Sequence, residues 1–181
     1  LLSLEDSSSV LDLNGATQTI ASLASVSGSI VQLNGGTLII SGNTGDAVVA
    51  GSITGNGNLS NTGTLRLVGN ATLDVTGNFT NTGVLDIMTW QGTLPAGFVN
   101  NGIVLDRSAV KITSHAITGN DFTLTIHGHG GHNYQLQRCD SLADAWQNLG
   151  PAQPGNNVPL VFTDPGGASA DRRFYRVSIV P

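Results

Sequence analysis

Apolar and polar positions alternate with period two through the first half of the chain: Leu38 and Ile40, Leu65 and Leu67, Leu73 and Val75, Leu85 and Ile87. In an extended strand successive side chains point to opposite faces, so each run predicts a short strand with one buried face. Asn-Gly, Thr-Gly and Gly-Asn pairs separate the runs. They read as turns, because glycine and asparagine tolerate positive φ. The runs also recur. Gly57-Asn58-Leu59-Ser60-Asn61-Thr62-Gly63-Thr64-Leu65 returns as Gly77-Asn78-Phe79-Thr80-Asn81-Thr82-Gly83-Val84-Leu85. A third copy is Gly97-Phe98-Val99-Asn100-Asn101-Gly102-Ile103-Val104-Leu105. Leu33 to Leu38 echoes the same step, with Ser41 to Ala47 as an insertion, and Leu11 to Gly15 is a degenerate earlier copy.

A unit of about 20 residues holding two or three strands is too short for a βαβ crossover and fits one coil of a parallel β-solenoid. Equivalent residues of successive coils then stack about 4.8 Å apart. The reading predicts an asparagine ladder at Asn61, Asn81 and Asn101, and an apolar ladder at Leu65, Leu85 and Leu105. Arg66 is expected over Asp86 as an exposed ion pair worth under ~1 kcal/mol. Asp106 is expected beneath Asp86, a repulsion for Arg107 or Lys111 to offset. The competing architecture is an antiparallel sandwich whose hairpins resemble one another.

The stretch Val10-Leu11-Asp12-Leu13-Asn14-Gly15-Ala16-Thr17-Gln18-Thr19-Ile20-Ala21-Ser22-Leu23, followed by Val31 to Leu38, resembles the autotransporter-associated β-strand repeat. Agreement is closest over residues 10 to 40 and looser to about 107. The resemblance implies a passenger-type β-helix of a bacterial surface or secreted protein. It lacks the membrane-barrel translocator of a full autotransporter.

After about Ser108 the pattern changes. Asn-Gly repeats stop, and all four histidines and most of the prolines follow. Strands are predicted at Val110 to Ile117, Phe122 to His127, Tyr134 to Arg138, Val158 to Thr163 and Phe174 to Val180. Short strands with long turns suggest a small antiparallel β-sandwich. Tyr134 to Arg138, Trp146 to Gly150, Phe162 to Asp164 and Arg173 to Val177 resemble a fibronectin-like C-terminal module of secreted bacterial repeat proteins, which implies fold and not activity. The expected division is therefore an all-β chain, solenoid over 1–108 and sandwich over 109–181, with the sandwich packed on the final coil. Ser141 to Trp146 is expected as a helical turn leading Trp146 into the core.

Composition narrows the function classes. Only 10% of residues are charged, Lys111 is the one lysine and Glu5 the one glutamate, against 24 glycines, which disfavours a helical fold. Seven basic against twelve acidic residues argue against nucleic acid as a partner. No run is long and apolar enough for a membrane span. The opening residues Leu1-Leu2-Ser3-Leu4 read as a mature or trimmed product of an exported bacterial protein.

Candidate chemistry is sparse. His127, His129 and His132 could bind zinc or copper, with Asp121 or Asp140 completing the shell, although the intervening glycines mark an ordinary turn. Asp164 and Asp171 could offer calcium oxygens, but their spacing matches no calcium loop. Cys139, the single cysteine, is either a buried small apolar side chain or a thiol acidified by Arg138, and an intermolecular disulfide stays open. No cofactor is called for. Paired carboxylates, a nucleophile elbow and a phosphate loop are all missing from the sequence, so no catalytic residue is assigned and the chain is expected not to be an enzyme.

The expected role is an extracellular structural subunit that self-associates head to tail into a fibre. Leu2, Leu4, Val10, Leu11 and Leu13 would form the adhesive edge, in a region without helix, proline or charge run beyond the weak gatekeepers Glu5 and Asp6. The alternatives are an adhesive surface module binding glycans, with Trp90 the better contact and Trp146 in the core, or an inert stalk of a larger passenger protein.

Overall fold

A computed structural model describes residues 1–43 and 47–180. The chain divides between Ala109 and Val110 into two compact units. The first is a parallel β-solenoid. Its first coil holds β1 (Leu2–Leu4), β2 (Val10–Asp12) and β3 (Thr17–Ile20), and its second holds β4 (Leu23–Ser25), β5 (Ile30–Gln32) and β6 (Thr37–Ile40). The third comprises β7 (Val48–Val49), β8 (Ser52–Gly55) and β9 (Asn58–Asn61); the fourth β10 (Thr64–Gly69), β11 (Thr72–Val75) and β12 (Phe79–Asn81). A fifth coil has β13 (Val84–Trp90) and β14 (Phe98–Asn100), and β15 (Ile103–Leu105) begins a sixth. These strands form three parallel sheets, β1-β4-β7-β10-β13-β15, β2-β5-β8-β11 and β3-β6-β9-β12-β14. Part of the expected insertion, residues 44–46, lies outside the described residues.

One apolar column runs Leu38, Leu59, Phe79 and Phe98 in register, ending in two rings 4.8 Å apart. Leu38, Leu59 and Phe79 are no more than 1% exposed, so each contributes about 1.5–3 kcal/mol of burial. Two glycine columns set the corners. A Cβ on Gly57 or Gly77 would collide with the carbonyl oxygen of Gly36 or Gly57 one coil back, and one on Gly63, Gly83 or Gly102 with that of Gly42, Gly63 or Gly83. None of these five glycines has positive φ. They are required by close backbone approach, a different reason from the turn conformation that the sequence suggested. The turn reading holds at Asn14-Gly15 and Asn34-Gly35, where φ is 46° and 82°, and 39° and 80°.

The last coil is one residue short, and two expected ladder positions move. Leu85 stacks on Leu65 as predicted, but Val104 and not Leu105 follows it. Asn100 and not Asn101 follows Asn81. The slip falls after Gly97, which still approaches Gly77, whereas Phe98 already pairs with Phe79. In register, Leu105 and not Asp106 therefore lies beside Asp86. Asp106 Oδ1 instead accepts the Ser108 amide at a 3-10 turn over Arg107–Ala109.

The second unit is antiparallel. β16 (Ile112–Thr118), β17 (Asp121–Gly128), β18 (Asn133–Cys139), β19 (Gln147–Asn148), β20 (Gln153–Pro154), β21 (Val158–Asp164) and β22 (Phe174–Val180) form two sheets. One has the order β16-β17-β21. In the other, β18 pairs with β22 along one side and with β19 and β20 on the other. Leu124, Ile126 and Phe162 of the first sheet share a core with Tyr134 and Leu136 of the second, all at most 2% exposed.

Candidate functional site

Three polar arrangements stand out. The first is the asparagine ladder. Asn61 Nδ2 donates to Asn81 Oδ1 at 2.7 Å, and Asn81 Nδ2 donates to Asn100 Oδ1 at 2.7 Å. The same amides also reach the Val84 and Ile103 carbonyls. At the head of the ladder Asn61 Oδ1 is buried without a partner, because the residue in register one coil back is Ile40. Beside the ladder, Arg66 Nε donates to Asp86 Oδ2 at 2.9 Å, and the two residues are 6% and 2% exposed. The expected surface pair is thus a buried one. Asp86 Oδ1 accepts the Met88 amide, and the turn after β15 lies against β13, with Arg107 donating to the Met88 carbonyl. Burial changes the energetics: removing one partner now leaves the other charge in a poorly solvated site.

The second arrangement centres on Asp164, 1% exposed at the end of β21. Its Oδ2 accepts from Arg173 Nη1 at 2.7 Å and from the Tyr175 hydroxyl at 2.8 Å, while Arg138 Nη1 lies 3.4 Å from Oδ1. Arg173 also reaches Asp140. Burial works to raise the Asp164 pKa, but the hydrogen bonds and the two guanidinium charges outweigh it and hold the carboxyl below its ordinary range. Burial, then the hydrogen bond to the Asp164 carboxylate, pushes Tyr175 up to about 12. A carboxylate engaged by two arginines has no charge left for calcium, so the calcium reading of Asp164 is withdrawn. Asp121, one of the two acids offered for the histidine shell, accepts the Gly166 amide.

The third is the histidine string. His127 and His129 meet edge to face at 4.9 Å, whereas His132 is buried at 6%. Among the described residues no three His, Cys, Asp or Glu are grouped to hold a metal ion, so the three-histidine site does not assemble. Cys139 is 4% exposed, and burial raises its thiol pKa, which removes the acidified-thiol reading.

The two tryptophans exchange roles. Trp90 is 7% exposed, belongs to the solenoid core, and donates its indole N–H to the Ala71 carbonyl at 2.7 Å. It closes the apolar stack near β11, the terminal strand of its sheet. Trp146 is half-buried in an irregular segment and not a helical turn. The Arg176 guanidinium lies 4.4 Å from its ring, and Arg176 Nε donates to Gln137 Oε1 at 2.7 Å.

Of the five residues proposed for self-association, Leu4 and Leu13 are buried in the solenoid's own core. Leu2 and Leu11 pack partly against it, and Val10 is 54% exposed. What β1, β2 and β3 share is position: among the described residues each is the terminal strand of its sheet. At the opposite end Val99 and Ile103, on β14 and β15, are 51% and 56% exposed.

No protein-family model, no curated protein and no solved structure matches this chain. No helix among the described residues is long and apolar enough to cross a membrane.

Proposed function

We propose that this chain is a non-catalytic structural subunit of an extracellular, bacterial surface fibre, assembling head to tail through the edges of its solenoid. The observation that carries the reading is the set of three parallel sheets, each ending, among the described residues, on a strand bonded on one side only, with apolar side chains standing out at both ends. Such edges are templates for a further strand. A head and tail of different shape give heterologous contacts, which extend into filaments when the rotation does not close. The likeness of residues 10 to 40 to autotransporter-associated repeats agrees with export and with an elongated role.

The test is electron microscopy and sedimentation of the purified chain over a wide concentration range. Filaments or a concentration-dependent mass are expected, weakened by Val10→Lys in the edge strand β2 and unchanged by Val161→Lys in β21. Monodisperse monomers at every concentration would sink the proposal.

A second reading, an adhesive module for glycans, is favoured by one observation: Trp146 is partly exposed beside Arg176, Gln137 and Asn148, which are joined by hydrogen bonds. A glycan array comparing the native chain with Trp146→Ala discriminates it, and no signal from the native chain retires it.

A further inference from the structure

Four asparagines precede a glycine: Asn14, Asn34, Asn56 and Asn101. In such a step the glycine amide nitrogen can attack the asparagine side-chain carbonyl carbon, because no Cβ obstructs the approach. The fold treats the four unequally. At two of them the glycine is fastened in the stack. Gly57 is buried, a Cβ on it would collide with the Gly36 carbonyl oxygen, and Asn58 beside it donates to that same oxygen at 2.8 Å. The Gly102 amide donates to Asn100 Oδ1, while Asn101 and Ile103 on either side donate to the Asn81 and Gly83 carbonyls at 2.8 Å. Neither glycine can swing toward its asparagine without opening the coil. The other two steps are turn tips. The Leu13 carbonyl accepts the Ala16 amide at 2.8 Å and the Leu33 carbonyl that of Gly36 at 2.6 Å, so Asn14-Gly15 and Asn34-Gly35 lie at the centres of closed turns, and all four residues are exposed. A Cβ on Gly15 or Gly35 would meet nothing within 4 Å, and among the described residues neither glycine amide meets an acceptor. The two tips differ in one side chain. Asn34 Nδ2 donates to Asp12 Oδ1 at 3.0 Å, whereas Asp12 takes from Asn14 its backbone amide at 2.9 Å and leaves its side-chain amide without a partner among the described residues.

We propose that Asn14-Gly15 is a self-modification site, where the chain converts its own asparagine in water. The Gly15 nitrogen gives its proton to hydroxide and bonds to Asn14 Cγ. The Cγ–Nδ2 bond breaks, and Nδ2 takes up a proton from water and leaves as ammonia. Water then opens the resulting five-membered imide. Cleavage of the new bond to Cγ gives aspartate, and cleavage of the original peptide bond gives isoaspartate, whose main chain is one carbon longer. Either product adds a carboxylate two residues from Asp12. Isoaspartate also lengthens the turn that Ala16 closes on Leu13, between β2 and β3.

The test incubates the full chain in mildly alkaline buffer and follows all four steps by peptide mapping and mass spectrometry, with aspartyl and isoaspartyl forms separated by chromatography. Asn14 is expected to convert first and Asn34 second. Asn56 and Asn101 are expected to convert at least about tenfold more slowly than Asn14, because reaction there waits on local unfolding. In denaturing urea the four rates are expected to converge. Asp12→Ala, at an exposed position, is expected to bring Asn34 up to the rate of Asn14, since it releases the Asn34 side chain. Conversion of Asn56 or Asn101 ahead of Asn14 in the folded chain overturns the proposal. An order that persists in urea overturns it too, as does an Asn34 rate that Asp12→Ala leaves unmoved.

Discussion

In the solenoid a buried polar group is bonded to its own equivalent one coil away; in the sandwich it is bonded to unlike partners gathered from distant strands. Asn61, Asn81 and Asn100 are the first case, and Asp164 with Arg173, Tyr175 and Arg138 the second. Repetition makes the solenoid simple to extend, because every coil supplies what the next needs. It also leaves a fault wherever the repetition starts, as the orphaned Asn61 Oδ1 beside Ile40 records. The sandwich has no such beginning or end: its polar centre is closed.

The comparison breaks most sharply at the glycine columns. Gly83→Val puts side-chain atoms where the Gly63 carbonyl already lies, in the middle of the stack. It is expected to cost more than about 4 kcal/mol, because neither backbone can retreat without breaking the register. Thermal unfolding followed by NMR would show the solenoid signals lost while the sandwich signals of Leu124 and Leu136 persist. Loss of both sets together would mean that the two units unfold as one. Next in size is Asp164→Ala, which takes the buried carboxylate from Arg173, half-buried and left with Asp140 alone, and from the Tyr175 hydroxyl, and is expected to cost about 3 kcal/mol. Denaturant titration should place that loss on the sandwich transition and leave the solenoid midpoint where it was.

The sequence displays the solenoid better than it displays the polar centres. Period-two alternation and the 20-residue recurrence lead directly to the stacking of Leu65 on Leu85 and Asn61 on Asn81, because in a parallel stack equal spacing becomes vertical alignment. The last rung was ambiguous for a physical reason: Asn100 and Asn101 are adjacent and identical, so a one-residue deletion leaves the motif looking intact. Burial of Arg66 and Asp86 was hidden because alternation tells which face a residue takes and not what covers that face. The tryptophans were misassigned on similar grounds. Trp90 and Trp146 both sit in polar strings, and only the fold reveals that one fills the end of a coil while the other lies under a guanidinium. Asp164 looked like a turn opener before Pro165, and nothing local announces that Arg138, Arg173 and Tyr175 converge on it.

The asparagine ladder gives a smaller and more diagnostic effect. Asn81→Leu removes the middle rung, so the bonds to Asn61 and Asn100 are lost, while Asn61 Nδ2 keeps the Val84 carbonyl and the exposed Asn100 Oδ1 keeps the Gly102 amide. The expected cost is about 2 kcal/mol, the loss of two ladder hydrogen bonds. Asn61→Leu should cost less, since it also removes an oxygen that is already unpaired. Urea midpoints of the two variants check the order. An equal loss would mean that the ladder is not anchored at one end.

The smallest expected effect is a pH dependence confined to the sandwich. Tyr175 is held neutral, with its pKa raised from an ordinary value of 10.0 to about 12 by burial and by the Asp164 carboxylate. A folded-state pKa above the unfolded one means that the unfolded chain releases this proton first as pH rises. The contribution is therefore fully present below pH 10 and drains away between there and about pH 12. Because the hydroxyl is partly open to solvent, screening holds the contribution to about 1 kcal/mol or less. Asp164 has the opposite sign: its lowered pKa adds stability above the ordinary carboxylate range, which is lost as pH falls through the folded value. Tyr175→Phe should flatten the alkaline limb and weaken the acid limb without removing it, since Arg173 and Arg138 still hold the Asp164 carboxyl down, when sandwich melting is followed by NMR from acid to alkaline pH. An alkaline limb that persists in Tyr175→Phe would assign the titration to another group, and with it the claim that the sandwich closes its polar centre around one tyrosine would fall.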